Sequence, residues 1–519
     1  MIQDPYLISY ILYLISHPSA FVAERSYFMR ESGILMHISS LPGPYGIGSM
    51  GKQAYRFVDF LDKTGQSYWQ ILPLNPTGYG DSPYQGFCSA AGNHYLIDLD
   101  QLIEEGLLTQ EEVDNIFWED DPTRVNYGTL YNNRLQVLSL ACQRFEPNEE
   151  YASFLAENPW LDDYCLFMAL KAHFKGQPWL QWPQELKDHQ AAALAEALEA
   201  HAEEVNLHRF CQFVFYRQWN ALHAYANSKG ISIIGDVPIY VPLDSADVWA
   251  NPTLFLLDEN RQPKLVAGCP PDAFTADGQL WGNPIYHWEN MAAEGYSWWI
   301  DRLKAAEKLY DVVRIDHFRG FESFWAIPAG DATARGGSWM KGPGMDFIRV
   351  VQEKLQKLRF IAEDLGYVTA QVRQLLTDSG YPGMKVMEFA FDSREESDYL
   401  PHLYPRHSVC YTGTHDNATL KQWFMDASPE DIAYAREYLG LNAEEGYVWG
   451  MIRGAMGSVS DLCVVQLQDY LELGKEGRMN LPGTVSMDNW TWRAKPGFYK
   501  EKLTDRITRL TKIYGRAKK

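Results

Sequence analysis

From residue 33 onward the chain alternates short apolar runs with stretches of helical spacing, and it does so eight times. The apolar runs lie at 33–41, 68–74, 231–241, 312–318, 360–365, 384–391, 409–414 and 462–468. Helical patterns follow most of them, for instance at 53–63 and 372–378. Runs this short, repeatedly separated by helices, predict parallel strands covered on both faces. Eight such steps predict an α/β fold of the closed (β/α)8 barrel type. Two gaps are too long for simple crossovers. Residues at about 99–218 carry Leu, Ala and Glu at helical spacing, and residues at about 243–288 are rich in Pro, Gly and Asn. Both leave the C-terminal ends of candidate strands, where a barrel carries the insertions that build a site. The expected organisation is one barrel over 29–519 with a helical insertion and a lid-like loop insertion.

The first 28 residues stand apart. An apolar stretch at 6–15 follows Asp4, where a secretory signal would carry positive charge, and a small-x-small cleavage site is poorly formed after it. We read 1–28 as an extension outside the fold. No apolar stretch has the length of a membrane span. A formal net charge of -21 argues against nucleic acid, whose binding draws on Lys and Arg to neutralise phosphates. The Lys/Arg cluster at 509–519 reads as a helix end. Cys88, Cys142, Cys165, Cys211, Cys269, Cys410 and Cys463 are scattered and odd in number, as expected of reduced thiols in a cytoplasmic protein. A neutral substrate fits this balance, and a monomer is the default expectation.

Four of the apolar runs end in acidic signatures. GDVPIYV carries Asp236, RIDHFRG carries Asp316, AEDLG carries Glu363, and TGTHDN carries His415 and Asp416. In a barrel these strand ends converge on one face, so four carboxyl groups share one pocket. Like charges so placed are costly unless they are compensated or used. Arg314 precedes Asp316 by two residues, so strand alternation points both side chains the same way. A guanidinium there favours an ionised Asp316, as a nucleophile requires. Glu363, on the next strand and crowded by carboxylates, should keep its proton and serve as general acid. Such a pair about 5 Å apart gives retaining glycoside chemistry, and a wider one gives inversion. Asp416 and His415 would hold hydroxyls of the sugar at the cleaved bond.

Other motifs compete less well. Residues 46–51 fit G-x-G-x-x-G, but the strand ends several residues earlier, and no acidic residue follows the second strand to take a ribose. His37, His94, His287, His317 and His415 have no metal-ligand spacing. No G-x-S-x-G elbow supports serine hydrolase chemistry. The chain has 17 Trp, 31 Tyr and 24 Phe; most must fill the core, and a minority suits the apolar faces and hydroxyl rims of sugars.

RIDHFRGF, AEDLG, TGTHDN, GDVPIYV, GCPPDAFTADGQLWGNPIY and the early PTGYGDSPYQGF, taken in order, resemble the amylomaltase group, glycoside hydrolase family 77. The resemblance runs from about residue 33 to 499. It implies a 4-α-glucanotransferase that disproportionates maltooligosaccharides and other α-1,4-glucans, with glucose or a glucan as acceptor. Asp316 would be the nucleophile, Glu363 the acid/base and Asp416 the transition-state stabiliser. It further implies sugar contacts from Ser82, Tyr84, Asp236, Asp272, Trp281, Arg314, His415 and Asn480, an outer glucan surface at Tyr79, and a lid at 266–286. No cofactor or metal is implied. Cys88 stands where Ser is frequent in the family and Ala418 where an acidic residue is common. A retaining α-glucan hydrolase would share the chemistry, with water resolving the intermediate. A non-catalytic glucan-binding protein would be expected to have lost Asp316 or Glu363, and both are present.

Overall fold

The computed structural model describes residues 30–518 except 79 and 272–274. The segment read as an N-terminal extension, Tyr79 and Asp272 therefore lie outside the described residues.

Twelve strands occur among the described residues, β1 (Glu31–Leu35), β2 (Tyr68–Gln70), β3 (Ser232–Pro238), β4 (Leu265–Cys269), β5 (Gln279–Pro284), β6 (Val312–Asp316), β7 (Ser323–Pro328), β8 (Ser338–Lys341), β9 (Arg359–Ala362), β10 (Gly383–Val386), β11 (Ser408–Tyr411) and β12 (Leu462–Gln466). Eight of them, β1, β2, β3, β6, β9, β10, β11 and β12, close into a barrel in that order. Every pairing in the barrel is parallel. The eight apolar runs of the sequence are these eight strands. The observed strands are shorter than the runs, because apolar residues continue past the ladder into the turns above it. After β1, for example, Ile38–Ser40 already forms a buried 3-10 turn. Strands such as β6 and β12 are Val-rich and buried almost throughout, as expected where helices cover one face and the barrel interior the other.

Between β2 and β3 the chain forms a helical region that ends in the long helix Ala202–Ser228. This helix packs on Trp160–His173 and on the barrel helix Lys52–Lys63, and its Trp219 donates to the carbonyl of Leu309 at the end of a third helix, Ser297–Leu309. The aromatic residues mostly go here and into the barrel wall. Phe145, Tyr151, Phe154 and Phe213 pack ring on ring, and Trp69, Trp179, Trp219, Trp249 and Trp299 are fully buried. The loop-rich insertion contributes β4 and β5, which join β7 and β8 in a separate four-stranded antiparallel sheet in the order β5-β4-β7-β8. No helix among the described residues is long and apolar enough to cross a membrane.

The glycine-rich turn at 46–51 has a packing cause. A side chain at Gly48 would meet the carbonyl of Ile38 at 2.0 Å, and one at Gly51 would meet the Asp98 carboxylate at 1.8 Å. Asp98 also accepts from Ser49 and from the backbone of Gln101. A carboxylate thus fills the approach to this helix N-terminus that a phosphate would need.

The C-terminal basic cluster begins in a helix end, as read, and continues beyond it into the barrel wall. Arg516, beyond the last helix Glu501–Ile513, is fully buried at the seam between β1 and β12. Its guanidinium donates to the carbonyls of Glu31 (2.8 Å), Met456 (2.8 Å), Ser458 (3.0 Å), Ser460 (2.9 Å) and Asp461 (3.3 Å). Arg30 adds bonds to Met456, Ser458 and Tyr514. Buried carbonyls left unpaired cost about 1–3 kcal/mol each, so Arg516→Ala should lower unfolding stability by about 3 kcal/mol or more. Urea unfolding measures this, and a loss below about 0.5 kcal/mol would show that the strand ladder alone holds the seam.

Candidate active site

The C-terminal ends of β3, β6, β9 and β11 bring the four acidic signatures together around Arg314. On β6, alternation places Arg314 and Asp316 on the same side, with Nη2 3.0 Å from Asp316 Oδ1. Nη1 lies 2.6 Å from Oδ2 of Asp236, which stands opposite Arg314 in the β3–β6 register. Arg314 and Asp236 are both buried. One guanidinium therefore ties two neighbouring strands and spans two carboxylates. Burial pushes the Asp236 carboxyl up to about 7, with Arg314 pulling in the opposite direction.

Glu363 follows β9, the barrel neighbour of β6. Its Oε2 accepts from the backbone N–H of His317 and its Oε1 from that of Leu365, both at 2.7 Å. Two backbone donors favour the charged form, yet burial outweighs them and raises the Glu363 pKa to about 8. Sequence reasoning attributed this rise to crowding by carboxylates. The larger cause is desolvation, with Asp316 adding to it and Arg314 opposing it. The donor at 317 depends on an unusual backbone. His317 has φ 54°, in the left-handed region that a residue with a Cβ enters at a cost of about 1 kcal/mol or more. The turn it makes directly after Asp316 aims its N–H at Glu363. Phe318 N–H then bonds the Glu363 carbonyl at 3.0 Å, securing the same juxtaposition.

The loop after β11 presents His415 and Asp416. Asn417 accepts from the backbone and hydroxyl of Thr414, which fixes the turn that carries both residues. His415 stacks on Tyr84, with ring centroids 5.0 Å apart and planes 17° apart, and burial lowers its pKa, leaving it neutral. Tyr84 donates to Asp236 Oδ2 at 2.8 Å, and its backbone N–H is held by Ser82 Oγ at 3.2 Å. Burial, then Asp236, hold the Tyr84 phenol well above its ordinary pKa, so it remains a donor. Trp281, on β5, meets the His317 ring edge-on at 4.9 Å, which joins the antiparallel sheet to the turn beside Asp316.

Asn480 reaches the site through Asp416, donating from Nδ2 to Oδ1 at 2.7 Å. Sequence reasoning missed its neighbour Arg478, which donates to the carbonyls of Asp416 and Asn480, both at 2.8 Å. The only available signal was a basic residue two positions before Asn480 in RMNLPGT. Glu388, after β10, was also missed; burial raises its pKa well above the ordinary value, with Asp469 adding to it. Among the described residues, no group of three or more His, Cys, Asp or Glu side chains is placed to hold a metal ion.

The pocket thus holds a buried carboxyl that stays protonated at neutral pH, beside a half-buried carboxylate paired with Arg314. This is the charge asymmetry that acid-assisted displacement at an acetal carbon requires.

Comparison with known proteins agrees over nearly the whole described chain. The family model described as 4-alpha-glucanotransferase matches residues 36–499. The 4-alpha-glucanotransferase of Clostridium butyricum is 48% identical over 486 residues, covering 93% of this chain and 100% of that one. That of Thermus thermophilus is 48% identical, covering 90% and 95%. The amylomaltase of Streptococcus agalactiae, solved in complex with acarbose, superposes with a TM-score of 0.92 at 42% identity, covering 94% of this chain and 100% of that one. With this agreement in sequence and fold, the chain belongs to the 4-alpha-glucanotransferase family, glycoside hydrolase family 77.

Proposed function

We propose that this chain transfers α-1,4-glucan segments by retaining double displacement, with Asp316 as nucleophile and Glu363 as acid/base. Asp316 attacks the anomeric carbon while Glu363 gives its proton to the departing 4-oxygen, leaving a glycosyl ester on Asp316. The 4-hydroxyl of an acceptor then attacks the anomeric carbon of that ester, the bond from this carbon to Asp316 breaks and frees the carboxylate, and Glu363 takes the hydroxyl's proton back. Asp416, with His415 beside it, holds hydroxyls of the sugar under attack, where contacts strengthen as the ring flattens. Tyr84, Asp236 and Arg314 orient that sugar and the nucleophile, and Trp281 covers the acid side. The observation that carries the reading is Glu363, buried, pinned by two backbone donors and protonated, on the strand next to the Arg314–Asp316 pair.

Maltooligosaccharides serve as donors, and glucose or a longer glucan serves as acceptor. Ser82 supports the loop bearing Tyr84, and Asp272 and Tyr79 complete the substrate contacts from the lid and an outer surface. No cofactor takes part. We take a monomer as the default arrangement, and scattered cysteines, odd in number and without disulfide spacing, support a cytoplasmic setting. A hydrolase would use the same residues, with water as the acceptor.

Incubation with maltotriose should yield glucose and a ladder of longer maltooligosaccharides with little change in reducing ends. Shorter sugars alone, with rising reducing ends, would assign the chain to hydrolysis. The Glu363 carboxyl is protonated below its pKa of about 8 and ionised above it, so kcat/KM should fall as pH rises through that value. The Glu363→Gln variant should lose this alkaline limb along with most of its activity; an alkaline limb that survives would move the acid role elsewhere. Arg478→Ala should lower kcat roughly 10- to 100-fold with little change in KM, because Asp416 loses its backbone anchor. Arg478→Lys should recover part of it, and an unchanged kcat would remove Arg478 from the positioning machinery.

A further inference from the structure

Two large aromatic side chains are exposed near the catalytic loops without serving the core. Tyr367 is 69% exposed and Trp339 is 40% exposed. Tyr367 lies four residues after Glu363, in the loop that leaves β9. Trp339 lies on β8, the edge strand of the antiparallel sheet, paired with Trp325 of β7. Arg319, three residues after Asp316, joins them. Its guanidinium sits 3.9 Å from the centre of the Trp339 ring, and Nη1 donates to the Tyr367 carbonyl at 2.7 Å. Nη2 donates to Ser323 Oγ at 2.9 Å, and the residue is itself buried. Arg319 thus holds the acid's loop against the edge strand.

The chemistry gives this cluster a side. The proton of Glu363 goes to the oxygen that leaves, so the loop continuing from Glu363 borders the sugar beyond the cleaved bond. The His415–Asp416–Asn480 group stands with the sugar whose anomeric carbon reacts. The departing segment and the incoming acceptor occupy the same side, since the second step reverses the first with a different glucan. Aromatic faces exposed to water are suited to the C–H faces of glucose rings; the Arg319 guanidinium lies against the Trp339 ring, and its bond to the Tyr367 carbonyl holds the backbone that carries the second ring. A neutral, repetitive chain with apolar ring faces matches this surface.

We propose that Trp339 and Tyr367, held by Arg319, form a stacking platform for the acceptor glucan two or more glucose units beyond the cleaved bond. The proposal rests on the glucanotransferase reading above. The platform favours long acceptors over glucose, because a single ring at the reacting position does not reach it.

The test compares labelled maltotetraose with labelled glucose as acceptors for segments drawn from maltotriose. In the Trp339→Ala/Tyr367→Ala protein, the ratio of kcat/KM for maltotetraose to that for glucose should fall about tenfold. Trp339→Phe should retain most of the ratio, and Ile513→Ala, on the C-terminal helix, should hold it within twofold. An unchanged ratio in the double variant, with cooperative thermal unfolding intact, overturns the platform. If the double variant does not fold, Tyr367→Ala alone decides, since this side chain lies mostly in solvent. A wild-type protein that transfers to neither acceptor defeats the glucanotransferase reading instead. Calorimetric binding of maltoheptaose to Asp316→Ala, with and without the two aromatic substitutions, then settles the platform: a tenfold weaker affinity supports it and an equal affinity removes it.

Discussion

A buried guanidinium organises this molecule's chemistry. Arg314 lies out of water between Asp236 and Asp316, on two adjacent strands of a closed barrel. Removing such a charge from solvent costs on the order of several kcal/mol, and the cost is offset only when the partners are already in place. The barrel supplies them. Parallel pairing of β3 with β6 sets Asp236 opposite Arg314, and alternation along β6 returns Asp316 to the same side. The planar fork of Arg holds both carboxylates in fixed directions, one at each Nη, a geometry that the compact point charge of a lysine ammonium lacks.

Glu363 shows the opposite electrostatic solution a strand away. Among the described residues the hydrogen-bond partners of its carboxyl are two backbone N–H groups, while Arg314 acts on it through space. Backbone donors orient a carboxyl without adding a full positive charge, so desolvation still decides its protonation. Two carboxyl groups of similar chemistry are thereby placed in different electrostatic surroundings. The left-handed turn at His317 serves this separation, since it delivers one of the donors from the residue that directly follows Asp316. Strain at that point is held by the neighbouring bonds of Phe318 and Gly320.

The aromatic side chains around the candidate site come from insertions rather than from the barrel itself. Trp281 arrives on β5 and Trp339 on β8 of the small antiparallel sheet, and Tyr84 arrives on the loop after β2. The sheet reaches the turn after β6 through Trp281 on His317 and through Trp339 and Ser323 on Arg319. These contacts fall on residues of the segment that follows β6, so the small sheet and the Asp316 turn share one short stretch of chain.

Much of this was legible in the sequence. The eight strands, the convergence of Asp236, Asp316, Glu363 and Asp416, and the pairing of Arg314 with Asp316 follow from local patterns, because strand alternation and strand-end position are local geometry. Groups whose roles depend on distant neighbours were not legible. Arg516 lay in a cluster read as a helix end and closes the barrel seam, Arg478 drew no reading and anchors Asp416, and Glu363 owes its proton mainly to desolvation rather than to crowding. The sequence by itself determined which residues stand at the strand ends, since apolar periodicity is written along the chain. Only the tertiary structure decided which charges lose their water and which carbonyls a guanidinium reaches, because both depend on atoms hundreds of residues apart being packed together.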